Sequence, residues 1–204
     1  MQILEDKTAK ELIKESLSKG IPYQEYRTML EDLVKEGKST GENQTEVLSN
    51  HTLLNHKRMK RWDKTFKINI DIAHKANKKI TWIVLTESWC GDAAHSMPIM
   101  NKVAEQNPNI TFKILLRDEN LGLMNHFLTN GTLSIPKLIM VDDETGEVVG
   151  EWGSRPSTAN EMVENYKKKH GKLTIEFKEE LQVWYNKDKG QNTVDDLLKL
   201  LALE

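Results

Sequence analysis

Cysteine occurs once in the 204 residues, as Cys90. That single thiol excludes an intramolecular disulfide and any zinc site built on several thiolates, so Cys90 acts alone, acts with a partner from another molecule, or is inert. Long apolar runs are missing too: no stretch approaches the roughly 18 residues of a spanning helix, and no membrane contact is expected. Met1 to Gly20 alternates acids and lysines without the apolar segment of a secretory signal, which predicts a cytoplasmic protein. Neither sign of charge is in excess. With 29 basic and 31 acidic side chains and a net charge of -2, no global field draws the chain to nucleic acid or anionic lipid. His51, His56, His74, His126 and His170 show no paired spacing with carboxylates, so neither a metal nor another cofactor is expected.

What is there is an ordinary globular balance, 38% hydrophobic and 29% charged, in a chain long enough to bury a core. The first third reads as helices. Leu12, Ile13 and Leu17 recur at helical spacing before Gly20, a C-terminal stop. Pro22 suits a first helical turn, and Tyr23, Tyr26, Met29, Leu30, Leu33 and Val34 make one apolar stripe closing at Gly37. Lys38 to Gln44 is polar and contains Gly41, as a linker would. Leu53 or Leu54, Met59, Trp62, Phe66, Ile70 and Ala73 predict one face of a long helix reaching about Asn77. Its opposite face, Lys57, Arg58, Lys60, Arg61, Lys64 and Lys67, reads as solvated surface.

From Lys78 the period changes. Ile80 to Thr86 (ITWIVLT) is a nearly continuous β-branched run, expected of a strand buried on both faces. A helix from Cys90 to about Gln106 and a second strand, Ile110 to Leu116, follow, and this crossover length implies a parallel, right-handed pair. A helix is predicted over roughly Glu119 to Thr129, with Leu121, Met124, Phe127 and Leu128 inward. Lys137 to Asp142 and Glu147 to Trp152, joined by a short turn, form an antiparallel hairpin, and a helix from about Thr158 to His170 closes the order β-α-β-α-β-β-α. Beyond Gly171, Phe177, Leu181, Trp184 and Tyr185 fit one amphipathic helix, and Thr193 is the expected cap of another carrying Val194, Leu197, Leu198 and Leu201. The fold class is therefore α/β, a central mixed sheet flanked by helices. Residues 78–170 would be its core, 1–77 an N-terminal helical extension and 171–204 a C-terminal one.

At the end of the first strand stands Trp89-Cys90-Gly91-Asp92-Ala93-Ala94-His95-Ser96-Met97-Pro98. It resembles the thioredoxin active-site segment, Trp-Cys-Gly-Pro-Cys opening a helix that a proline later kinks, with Trp89, Cys90, Gly91 and Pro98 at matching positions. Ile135-Pro136 before a strand resembles the dipeptide whose cis bond faces that site. The resemblance covers about half the chain and implies a thioredoxin-like fold. Departures count as much. Asp92 replaces the motif proline, Ala93 replaces the resolving cysteine, and Val84 stands where the family keeps a buried aspartate that assists proton transfer. A mixed disulfide on Cys90 could not be resolved from within the motif.

A thiol at a helix N-terminus is favoured as thiolate by unpaired amides and the helix dipole; Asp92 opposes this, and His95 one turn on is placed to pair with it. The bland readings are an inert buried Cys90, a helix-favouring acid at Asp92 and a surface imidazole at His95. The functional reading makes Cys90 a partly exposed nucleophile tuned by Asp92 and His95. By the resemblance, Trp89, Gly91, Ile135 and Pro136 would shape the substrate groove, and a protein or small-molecule thiol or disulfide would be the partner. A non-catalytic peptide-binding module using the same groove is the alternative.

Overall fold

The computed structural model describes residues 7–68, 72 and 77–202. Its centre follows from the first apolar run: β1, Ile80–Thr86, is buried along its whole length because strands pair on both its edges and helices cover both its faces. The sheet order is β2-β1-β3-β4, with β2 at Ile110–Leu116, β3 at Lys137–Asp142 and β4 at Val148–Gly153. β1 and β2 are parallel, Ile80 opposite Ile110, as the crossover length requires. β3 runs antiparallel to β1, Ile83 opposite Ile139, and β4 antiparallel to β3, so the antiparallel part reaches inward to β1 rather than stopping at one edge.

Eight helices surround this sheet among the described residues: α1 Ala9–Leu17, α2 Tyr23–Glu36, α3 Glu46–Thr65, α4 Gly91–Glu105, α5 Leu121–Asn125, α6 Ser157–His170, α7 Ile175–Asp188 and α8 Gln191–Leu201. Local chemistry sets several of their ends. Thr8 and Glu11 form a reciprocal capping box at α1, and Gly37 closes α2 in the left-handed conformation. None of the described helices is long and apolar enough to cross a membrane.

Four expectations are corrected. α3 stops at Thr65, because Phe66 turns to an extended conformation; Ile70, Ala73 and His74 lie outside the described residues. The inward face of α3 is Thr52, Asn55, Met59 and Trp62, leaving Leu53 and Leu54 exposed. The face is turned because Thr52 and Asn55 bond Ser88: Thr52 Oγ1 lies 2.8 Å from Ser88 Oγ, and Asn55 Nδ2 donates to the Ser88 carbonyl at 2.9 Å. α5 is a single short turn that buries Leu123 and Met124, with Phe127 beyond it, while Leu121 and Leu128 face solvent. α8 begins after Gly190 rather than at Thr193, which is buried within it.

The main core unites both sheet faces with Tyr26 and Leu30 of α2, Met59 and Trp62 of α3, Met97, Ile99, Met100 and Val103 of α4, and Val194, Leu197 and Leu201 of α8. A smaller cluster joins Ala159 and Val163 of α6 to Phe177, Leu181 and Tyr185 of α7. At the end of β4, Gly153 has φ 141 and a Cβ there would stand 2.4 Å from the Pro136 carbonyl oxygen. No side chain fits at that approach.

Candidate functional site

The loop leaving β1 is held from behind before it reaches the sulfur. Ser88 accepts from the Thr40 amide at 2.9 Å and donates its own amide to Thr40 Oγ1 at 2.9 Å. Cys90 then occupies the N-cap of α4. Its Sγ sits 3.3 Å from the Ile135 carbonyl oxygen as a donor, and the Ile135–Pro136 peptide bond is cis. Sequence positions 45 apart thus meet around the sulfur.

Cys90 is 7% exposed, which corrects the expectation of a partly exposed thiol. Burial first, and the Asp92 charge second, push its pKa up to about 12; the Ala93 and Asp92 amides and the Arg155 guanidinium pull the other way. The thiolate-favouring features of a helix start are present, and desolvation outweighs them.

Asp92 does not pair with His95. Its Oδ2 accepts from Arg155 Nη2 at 2.7 Å, and its Oδ1 accepts from the Tyr185 hydroxyl at 2.9 Å. Burial raises its pKa, with Arg155 the largest opposing influence and Tyr185 next. His95 is buried rather than a surface residue. Trp62 Nε1–H donates to its Nδ1 at 3.2 Å, which places the ring proton on Nε2, facing Gln182 Oε1 at 2.8 Å. The Tyr185 ring stacks on it with centroids 4.3 Å apart and planes 3° from parallel. Both Asp92 and His95 therefore face α7 instead of each other.

Trp89 and Gly91 flank Cys90 in sequence, and Ile135 meets it across the fold. Trp89 is half-buried beneath the Arg117 guanidinium, 5.2 Å from its ring centroid, and Arg117 Nη1 donates to the Leu133 carbonyl at 3.3 Å. A Cβ at Gly91 would lie 3.5 Å from Arg58 Nη1, so one cation of the α3 basic face reaches the motif. Ile135 is 8% exposed. Among the described residues no group of three or more potential metal ligands is assembled.

Arg155, Tyr185, Gln182 and Arg58 are the site residues that sequence reasoning missed. Arg155 lies in the turn before α6, Tyr185 and Gln182 on α7, and each reaches the motif only through tertiary packing. An aromatic stripe on α7 was visible, but nothing local tells a ring that packs from one that donates to a buried carboxylate.

The neutral state of His95 has a measurable consequence. Burial lowers its pKa from 6.5 to about 4, so between those values the unfolded chain takes up a proton that the folded one refuses, and stability falls as pH drops through that window. The loss amounts to about 3 kcal/mol by linkage. Urea unfolding at pH 7.5 and 4.5 should show a smaller acid loss in His95→Phe, which keeps a ring under Tyr185; an unchanged slope would show that His95 is not the group responsible.

With this geometry in place, comparison with known proteins gives a consistent answer. The model of the family described as Thioredoxin matches residues 41–167, more than half of the chain. No curated protein matches the sequence. Two solved structures share the fold: an HIV epitope scaffold at 12% identity and TM-score 0.54, covering 89% of this chain and 98% of that one, and a protein of unknown function from Pseudomonas aeruginosa at 14% identity and TM-score 0.54, covering 89% and 97%. The matched segment carries the Trp-Cys-Gly motif, the pinned loop behind it and the mixed sheet below it; this chain belongs to the thioredoxin family.

Proposed function

We propose that the protein performs single-thiol exchange at Cys90, from a resting form in which the thiol is sealed and protonated. The observation that carries this reading is the placing of the sulfur, between the Asp92 and Ala93 amides on one side and the Ile135 carbonyl on the other. In the reaction, Cys90 loses its proton to solvent and the thiolate attacks one sulfur of a disulfide. That S–S bond breaks, the second sulfur leaves as a thiolate, and a mixed disulfide remains on Cys90. Ala93 supplies no resolving thiol, so a second thiol, from a small molecule or another protein, attacks the adduct and returns Cys90. Trp89, Gly91, Ile135 and Pro136 flank the approach, Asp92 and His95 tune the sulfur through their contacts with α7, and a reducing cytosol suits the resolving step.

The second reading, a non-catalytic binding module, draws on the same site's burial: a thiol pushed up to about 12 is almost wholly protonated near neutrality. Turnover of a peptide–glutathione mixed disulfide by excess glutathione separates the two. Single-thiol exchange predicts turnover above the uncatalysed rate that disappears in Cys90→Ser. A rate equal to background, with peptide binding unchanged in Cys90→Ser, would leave only the binding module.

A further inference from the structure

Away from the thiol, a cavity of about 580 Å³ opens where the end of α3 meets the turn between α7 and α8. Arg61, Lys67 and Lys189 line it, with Trp62 and Phe66 as its apolar wall and Asn186 on its α7 side. Among the described residues none of the three cations forms an ion pair, although the chain as a whole holds slightly more acids than bases. Arg61 instead donates to Asn186 Oδ1 at 2.5 Å and lies 5.2 Å from the Trp62 ring centroid. The carboxylates nearby in sequence are engaged elsewhere. Asp63 accepts from Arg27 and Tyr23, and Asp188 accepts the Asn192 amide at the start of α8.

Two further observations bear on this positive charge. The Arg61 charge adds to burial in lowering the Arg58 pKa, and it also bears on His95, so its field reaches inward. Lys189 adopts φ 56, a left-handed conformation that a bulky L-residue takes up at a disadvantage and that glycine would take more readily. The backbone there favours a residue without a side chain, yet a long cation occupies it and faces the cavity.

We infer that the cavity is a binding site for a small phosphorylated molecule. Its phosphate groups would be held by the Arg61 fork and the two lysine ammonium groups, and an apolar or planar portion would lie on Trp62 and Phe66. A phosphate carries nearly two negative charges near neutrality and suits the donor geometry of a guanidinium. The concave shape and its volume suit a small ligand better than an extended polyanion, for which the net charge of -2 offers no broad attraction.

The site is tested on the full chain by calorimetric titration with inorganic pyrophosphate and with ADP at physiological ionic strength. One-to-one saturable binding of at least one probe is expected, and tighter binding of ADP would place the planar portion on the aromatic wall. Lys67→Gln and Lys189→Gly should each weaken binding by about tenfold or more, roughly the 1.4 kcal/mol of one charged contact. Lys189→Gly should melt no lower than the parent, so its loss of binding cannot be put down to misfolding. The inference is overturned if neither probe binds at millimolar concentration, if binding survives both substitutions, or if heparin binds equally well to the parent and to Lys189→Gly. Cys90 takes no part in these contacts, so failure here leaves the thiol reading untouched.

Discussion

Iodoacetamide at pH 8 is expected to alkylate Cys90 in the folded protein on the order of a thousandfold more slowly than an unperturbed thiol of pKa about 8.5. The size of the effect follows from a pKa pushed up to about 12, which leaves very little thiolate at that pH, and steric closure adds to it. Tyr185 is buried, stacks on His95, donates to Asp92 and lies near enough to Cys90 for the two charges to interact. Tyr185→Ala removes the ring and admits water, and its alkylation rate should rise by about tenfold or more, since desolvation is the leading cause of the shift. Tyr185→Phe keeps the ring and loses only the hydroxyl, so it should stay close to the parent. Intact-mass time courses under native conditions decide the matter. Equal rates in Tyr185→Ala and the parent, with rapid alkylation once urea is added, would show that α7 is not what protects the thiol.

Arg155→Met is expected to destabilise the fold by about 3 kcal/mol, because it strands the Asp92 carboxylate without its cation. Breaking one side of a buried ion pair typically costs about 3–5 kcal/mol. Here the low end applies, since the Arg155 and Asp92 side chains keep 22% and 14% exposure. The double substitution Asp92→Asn with Arg155→Met should recover more than half of the loss, for a neutral amide can still accept from Tyr185 and no longer needs a counter-charge. Urea unfolding of the parent and the two variants measures both quantities. A loss below about 1 kcal/mol in Arg155→Met would place the pair among solvent-screened surface contacts instead.

The sheet was legible because its strands are written in short, apolar runs rich in β-branched residues: Ile80–Thr86, Ile110–Leu116 and Lys137–Asp142 stand where the pattern puts them. The motif was legible as well, since Trp89, Cys90, Gly91 and Pro98 lie within one helical start. What failed was inference from hydrophobicity where polar groups do the packing. Leu53 and Leu54 were the apolar choices on α3, but Thr52 and Asn55 face inward because Ser88 offers them partners. His95 and Asp92 are one turn apart on α4 and were expected to meet, yet Gln182, Tyr185 and Arg155 from 63 or more positions away take their hydrogen bonds. Neighbourhood along a helix is written in the sequence. Competition from a distant helix is written only in the packing.

The knot of hydroxyls and amides around Ser88 has a consequence for how this polypeptide can be divided. Thr40 contacts it across 48 positions, Thr52 across 36 and Asn55 across 33, so the segment that aims the sulfur is anchored by side chains that all precede the sheet. A fragment beginning at the first strand would lose the partners of the Ser88 hydroxyl, amide and carbonyl together with the helix that covers them, and water would take their place. The leading helices are thus the rear wall of the reaction segment, and a cut that removed them would leave the thiol on an unsupported bend.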